Sequence, residues 1–175
     1  LIDSFPSNWY FGTDYSGDIL SYNNFCSLIK NFSKLKINFV TADGSVDCSH
    51  DPSSQELITF DLITTEVLLG LSILEKGGNF IVKIFTTFKS PIQNLIYFIY
   101  NCFNKVYIYK PSCSGHGNSE KYLICIDCLE ERYIREEKII NALYPDKCVR
   151  IDIDKLNDNL LILPLFFIEQ IYKST

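Results

Sequence analysis

The sequence predicts an α/β fold in which helices cover the faces of a mostly parallel sheet, with an antiparallel last strand. Short apolar runs typical of buried strands alternate with longer segments of helical periodicity. This strand, helix, strand, helix, strand order is that of βαβ units. The last two strands are joined by residues 111–119, a loop too short for a crossover helix, so we expect antiparallel neighbours.

The N-terminal part of the chain leads into the first strand. Residues 1–20 are punctuated by glycine and proline and are predicted to form a loop. Residues 21–35 repeat apolar side chains at intervals of three and four, which indicates a helix. The first strand follows at 37–42, and a polar loop occupies 43–52.

A long helix and a second strand come next. Ser53-Ser-Gln-Glu56 has the form of a capping box and predicts a helix from about 54 to 75, ending at Gly77-Gly78. The strand after it is predicted at 79–85.

The remaining elements of the sheet follow Ser90-Pro91, which we expect to cap and open a helix through about residue 102. Strands are predicted at 105–110 and 121–126. The charged segment 129–144 has an amphipathic pattern typical of a helix, within a predicted C-terminal extension.

Composition limits the classes of protein that the chain can belong to. Its 175 residues suit one domain, predicted at 1–128, with residues 129–175 as an extension packed on it. With 47% apolar and 21% charged residues the chain is globular. A net charge of −5 argues against coating nucleic acid by bulk electrostatics, so RNA contact would need a local basic patch.

Compartment is indicated by the cysteines and by the apolar runs. Seven cysteines without a recognisable signal peptide predict reduced thiols in a nuclear or cytosolic protein. The longest apolar runs, 95–100 and 160–168, are too short to span a bilayer, so no membrane association is expected.

Three charged residues stand at the ends of predicted strands. Asp43 follows the first strand, Lys83 lies inside the second, and Glu120 opens the last. Each has an ordinary structural interpretation: Asp43 as a turn acid, Lys83 as a lysine that reaches water, Glu120 as a loop acid. Lysine is rarely buried unless it is paired, however, and ligands of open α/β sheets bind at the carboxyl ends of strands. Together the three predict one site with a proton-transfer lysine.

A second cluster mimics a zinc site. Cys113 and His116, then Cys125 and Cys128, have the spacing of metal-ligand pairs. Cys125 lies inside an apolar run, where a free cysteine more simply fills the core. No metal is therefore expected, and a zinc-binding module stays as an alternative.

Several short motifs together resemble FtsJ-type RNA ribose 2′-O-methyltransferases, and in particular the eukaryotic cap-specific mRNA enzymes. They are Gly17-Asp18-Ile19, Thr41-Ala-Asp-Gly44, Gln55-Glu56, Gly77-Gly-Asn-Phe-Ile-Val-Lys-Ile-Phe85, Lys110-Pro111 and Asn118-Ser-Glu-Lys-Tyr122. The likeness covers residues from about 10 to 126. It implies a Rossmann-like fold and S-adenosylmethionine as the cofactor, with no metal required.

The resemblance also implies roles for individual residues. Asp43, Lys83 and Glu120 match the last three members of the Lys-Asp-Lys-Glu catalytic tetrad of the family, with Lys83 as the general base. Asp43 would also contact the cofactor.

Binding residues follow from the same comparison of motifs. Asp18 and Ile19 match the pair that contacts the adenine of S-adenosylmethionine. Asn118, and less closely Ser53, fall where the family meets capped RNA.

One departure from the family pattern concerns the start of the chain. The first lysine of the tetrad and the Gly-Gly turn that binds methionine lie on strands that should precede residue 1. The resemblance therefore implies the C-terminal half of the fold and an incomplete cofactor pocket. The strand before Asp43 would then form a sheet edge with an apolar face.

The predicted function is methylation of a ribose 2′-hydroxyl near the 5′ cap of mRNA. Capped mRNA and the transcription or capping machinery are the expected partners, in the nucleus or alternatively the cytoplasm. The alternatives are a ribosomal or transfer RNA 2′-O-methyltransferase and a non-catalytic RNA-binding or scaffold fragment. Four lysines are candidate phosphate contacts or simply solvated surface residues: Lys89, Lys105, Lys110 and Lys121.

Overall fold

A computed structural model describes residues 2–32, 34–115 and 117–129 of the chain. The predicted extension lies outside these ranges except for its first residue, Leu129. The helices are α1 (Tyr22–Phe32), α2 (Gln55–Ile58), α3 (Phe60–Ile73) and α4 (Ser90–Cys102). The strands are β1 (Ile37–Ala42), β2 (Leu74–Ile84), β3 (Phe103–Tyr109) and β4 (Lys121–Cys128).

The four strands form one sheet in the order β1-β2-β4-β3. β1 and β2 are parallel, and β4 lies antiparallel between β2 and β3. Three strands therefore run in one direction and β4 runs against them, which confirms the predicted mostly parallel sheet with an antiparallel last strand. In the described residues β1 occupies one edge, with the Phe39 side chain exposed, as expected for this strand.

The hydrophobic core lies between the helices and the central strands. α3 packs against β1 and β2, α4 packs against β3 and β4, and the two helices also contact each other. Alternate residues of β2, Phe80, Val82 and Ile84, are fully buried, as the two-residue period of a strand predicts. Gly70 of α3 permits the close approach of helix and sheet, because a Cβ there would lie 2.8 Å from Cε2 of Phe80.

The predicted single helix over 54–75 is wrong in two respects. The helix is interrupted at Thr59, which separates α2 from α3. It also ends at Ile73, and β2 begins at Leu74. Gly77, with φ +78°, belongs to a bulge of β2 rather than to a helix cap.

The predicted helix caps also differ from the structure. Asp51 accepts a hydrogen bond from the Ser54 backbone at 3.3 Å and begins a short 3-10 turn, Pro52–Ser54, that leads into α2. The capping box at Ser53 is not formed, because the Glu56 carboxylate accepts hydrogen bonds from a distant loop instead. Ser90 is the first residue of α4 rather than its cap.

Candidate active site

A buried lysine and an acid meet at the carboxyl ends of β1 and β2. Lys83 Nζ lies 2.7 Å from Asp43 Oδ1 and donates to the Asp43 carbonyl oxygen at 3.2 Å. The parallel register pairs Ala42 with Val82, so the next residue of each chain segment falls side by side. Lys83 is only 9% exposed, whereas the Asp43 side chain is 68% exposed. The pair thus combines a buried ammonium with a solvent-exposed carboxylate.

Glu120 reaches this region through the next strand. Tyr122 of β4 is the register partner of Lys83, and its hydroxyl donates to Glu120 Oε1 at 2.8 Å. The hydrogen bond to Glu120, followed by burial, raises the pKa of Tyr122 to about 12. Tyr122 therefore stays protonated and holds the Glu120 carboxylate beside the strand that carries Lys83.

The loop before Glu120 is fixed by Lys110 and Ser119. Lys110 Nζ donates to the Glu120 carbonyl at 2.9 Å and also contacts the Asn118 carbonyl. Asn118 Oδ1 accepts from the Glu120 backbone at 2.8 Å, and the Ser119 hydroxyl donates to Gln55 of α2 at 2.7 Å. Lys110 thus stabilises the loop before β4, so this candidate phosphate contact also has a structural role.

Glu56 fixes the loop that follows β2, a role that the sequence did not indicate. Its buried carboxylate accepts from the Thr86 hydroxyl at 2.6 Å and from the backbones of Phe88 and Lys89 at 3.1 and 2.5 Å. These bonds present the Phe88 ring, 61% exposed, at the same end of the sheet as Lys83. Glu56 and its neighbour Gln55 therefore secure the two loops that flank the site.

The segment with the predicted adenine contacts is organised by Asn24 of α1. This fully buried amide accepts from the Thr13 backbone at 2.7 Å and donates to Asp14 Oδ1 and to the Asp18 carbonyl, each at 2.9 Å. The Asp18 carboxylate accepts from the Leu20 backbone at 2.9 Å. Hydrogen bonds from the Ser16 and Asn24 side chains lower the pKa of Asp14 to about 2. Asp18 and Ile19 thus lie in an ordered loop before α1, and their cofactor role stays a prediction.

Other candidates receive no functional contact from the structure. Ser53 is exposed and donates to Asp51 at 2.6 Å, so its RNA role also stays a prediction. Cys125 is fully buried in the core, where burial raises the pKa of its thiol and disfavours a metal-binding thiolate. Over the described ranges no cluster of three potential metal ligands forms, and His116 of the zinc alternative lies outside them.

Glu66 is a further polar residue of the site that the sequence did not single out. It projects from α3, and its Oε1 accepts a hydrogen bond from the Gly44 backbone at 2.7 Å. It therefore touches the chain immediately after Asp43. A signal could have been found in its position, because it is an acid among the buried residues of a mostly apolar helix.

The fold and the site define a class of protein: a Rossmann-like α/β protein with its polar residues at the carboxyl ends of parallel strands. The chain belongs to the FtsJ-like methyltransferase family, whose profile matches residues 11–128. This finding confirms the family and the fold that the motifs predicted. None of the described helices has the length and apolar character needed to cross a membrane.

Individual relatives are cap-specific mRNA (nucleoside-2′-O-)-methyltransferases. The chain is 38% identical over 141 residues to enzyme 2 of Danio rerio and 36% identical over 162 residues to enzyme 2 of Drosophila melanogaster. These alignments cover 79% and 91% of the chain, but only 19% and 22% of the relatives. The Autographa californica nuclear polyhedrosis virus enzyme is 34% identical over 156 residues, which cover 88% of the chain and 58% of that enzyme. The chain thus spans about a fifth of the two animal enzymes.

Among solved structures, the fold is similar to that of a Plasmodium falciparum protein assigned as a ribosomal RNA methyltransferase. The TM-score is 0.50 at 24% identity, and the match covers 70% of this chain and 63% of that one. This likeness supports the fold.

Proposed function

We propose that this chain carries the catalytic acid and lysine of an S-adenosylmethionine-dependent methyltransferase that modifies a ribose 2′-hydroxyl near the 5′ cap of mRNA. One observation carries the proposal: the buried Lys83 ammonium held 2.7 Å from Asp43 at the carboxyl ends of adjacent strands. The names of the relatives supply the cap-specific substrate class.

The chemistry needs one proton acceptor close to the reacting hydroxyl. S-adenosylmethionine, when bound, supplies a methyl group that is already activated on a sulfonium. The chain must then position the 2′-hydroxyl and accept its proton, and we assign the proton to Lys83 Nζ in its neutral form. Asp43 fixes the position of Nζ and stabilises the ammonium that forms. Glu120, held by Tyr122, would orient the ribose or the ammonium from the other side.

Cofactor and RNA would meet the chain at different segments. The largely exposed Asp43 carboxylate can accept hydrogen bonds and so fits a cofactor that carries hydroxyl and amino groups. Asn24 holds the loop that contains Asp18 through the Asp18 carbonyl. Asp18 and Ile19 would contact the adenine. Asn118 and Ser53 would contact the capped RNA, and the requirement for a 2′-hydroxyl would by itself exclude DNA.

Partners and compartment belong to the same proposal. Capped mRNA is the proposed substrate, the transcription or capping machinery are proposed partners, and the nucleus, with the cytoplasm as the alternative, is the proposed location. Support comes from the mRNA cap named for the relatives.

The test is methyl transfer from labelled S-adenosylmethionine to short RNAs with and without a 5′ cap, by the full-length protein. Lys83→Ala should lower the rate at least about a hundredfold, which is the usual contribution of a general base. Lys76→Ala is the matched control, because this exposed lysine lies at the opposite end of β2 from Lys83 and should leave the rate unchanged.

Three other results would each support a different conclusion. Full activity of Lys83→Ala would refute the assignment of the base. Equal transfer to uncapped ribosomal or transfer RNA fragments would favour the alternative substrates. RNA binding without any methyl transfer would favour a non-catalytic scaffold.

A further inference from the structure

A buried carboxyl group stands directly behind the Asp43-Gly44 segment. Glu66 is 9% exposed, and its Oε1 accepts from the Gly44 backbone at 2.7 Å. Its other oxygen, Oε2, is buried and has no hydrogen-bond partner among the residues that the structure describes. Burying an acceptor without a partner costs free energy. A neutral amide could accept the same hydrogen bond from Gly44 with a lower cost of desolvation than this carboxyl.

Gly44 is shaped to receive this carboxyl. A Cβ at Gly44 would lie 2.5 Å from Glu66 Oε1 and 3.0 Å from its Cδ. The glycine is thus required by close approach, and the backbone after Asp43 rests directly on the Glu66 side chain. Any displacement of Glu66 would move the two Asp43 oxygens that contact Lys83 Nζ.

Charges from two other elements act on Glu66. Burial raises the pKa of its carboxyl to about 6, while the Gly44 hydrogen bond and the charge of Lys83 lower it and the charge of Asp43 raises it. Lys83 approaches from β2 and Asp43 from the end of β1, so α3 contributes a third charged group to the pair. The carboxyl changes its charge in the pH range in which proteins commonly work.

We infer that Glu66 is a positioning residue for Lys83. By accepting from the Gly44 backbone it holds the Asp43 carbonyl and carboxylate around Nζ. This inference rests on the proposed function, because it concerns the same proton acceptor. Glu66 does not need to touch substrate or cofactor.

The test compares the pH dependence of methyl transfer in three variants of the full-length protein. Glu66→Gln keeps the shape and an acceptor for Gly44 but removes the charge, whereas Glu66→Ala removes both. Asp61→Asn, an exposed acid on the same helix, is the control for charge. The wild-type rate should change around pH 6, where the Glu66 carboxyl gains its proton and its hydrogen bond from Gly44 loses charge assistance, and this change should be absent in Glu66→Gln.

A second measurement does not depend on activity. In protein labelled with 15N-glycine, the Gly44 amide signal should titrate with a midpoint near pH 6, reporting its hydrogen bond to Glu66. In Glu66→Gln the titration should disappear. The same spectra show whether Glu66→Ala is folded, so a low rate in that variant can be assigned to lost positioning or to lost structure.

The outcomes separate this inference from the proposed function. A wild-type rate that does not change near pH 6, a change that persists in Glu66→Gln, or a Gly44 amide that does not titrate would overturn the role of Glu66 while leaving Lys83 as the base. Failure of the wild-type protein to transfer methyl groups at any pH would overturn the proposed function, and this inference with it.

Discussion

The buried Glu66 makes folding stability depend on pH in a direction that can be worked out. Its pKa is raised from an ordinary 4.5 to about 6 in the folded protein, chiefly because burial disfavours the charged form. A raised pKa means that the folded state holds the proton more tightly than the unfolded chain. This contribution to stability is complete below pH 4.5 and is lost as the pH rises through 6.

The magnitude follows from the difference between the two pKa values. One pKa unit corresponds to about 1.4 kcal/mol, so the change from 4.5 to about 6 amounts to about 2 kcal/mol. Glutamine carries no charge at any pH and removes the effect. The free energy of unfolding of Glu66→Gln, minus that of the wild type, should therefore grow by about 2 kcal/mol between pH 4 and pH 8.

Urea unfolding followed by circular dichroism at several pH values would measure this difference. Titrating groups that do not interact with Glu66 act equally in both proteins and cancel. A difference that does not vary with pH would show that the carboxyl is not desolvated. A difference that shrinks as the pH rises would show that attraction to Lys83 outweighs burial, and would refute the reasoning.

Three further substitutions test the packing and the loops. Gly70→Ala should lower the free energy of unfolding by about 1–3 kcal/mol through overpacking against Phe80; a gain of about 1 kcal/mol, as for an unhindered helix position, would contradict the packing. Asn24→Ala should weaken S-adenosylmethionine binding about tenfold in calorimetry, because a cost of about 1.4 kcal/mol for ordering the freed loop on binding is enough for this change. An unchanged affinity would show that the loop before α1 does not contribute to cofactor binding. Glu56→Ala should lower the free energy of unfolding by about 2–4 kcal/mol, because the Phe88 and Lys89 backbones and the Thr86 hydroxyl lose a charged, buried acceptor. A loss below about 0.5 kcal/mol in urea unfolding, as for an exposed substitution, would contradict this.

The part of the site that could be predicted depends on the order of strands and loops along the chain. Asp43 and Lys83 follow apolar runs of adjacent parallel strands, so the periodicity of the sequence is enough to bring their side chains together. The antiparallel pair of last strands was predictable for a similar reason, since a short loop leaves no other arrangement. The catalytic roles of Asp43, Lys83 and Glu120 stay predictions.

The part that could not be predicted depends on partners far apart in the chain. Glu56 has the sequence position of a capping residue, but three donors about thirty positions later compete successfully for its carboxylate. Asn24 looks like an ordinary polar residue of an amphipathic helix, and Glu66 stands out only as an acid in a mostly apolar one. Their roles appear only when the Gly44 backbone, or the loop before α1, is placed against them.

The adjacent positions of Gln55 and Glu56 have a consequence for protein engineering. One holds Ser119 in the loop before β4, and the other holds the loop after β2, so a single helical turn carries the supports of both. The Phe88 side chain is exposed beside this frame, whereas Asn118 Oδ1 belongs to it because it accepts a hydrogen bond from the Glu120 backbone. A mutant library aimed at altered RNA preference should randomise Phe88 and leave Gln55, Glu56 and Asn118 untouched. A variant of any of these three would release the loop that it holds.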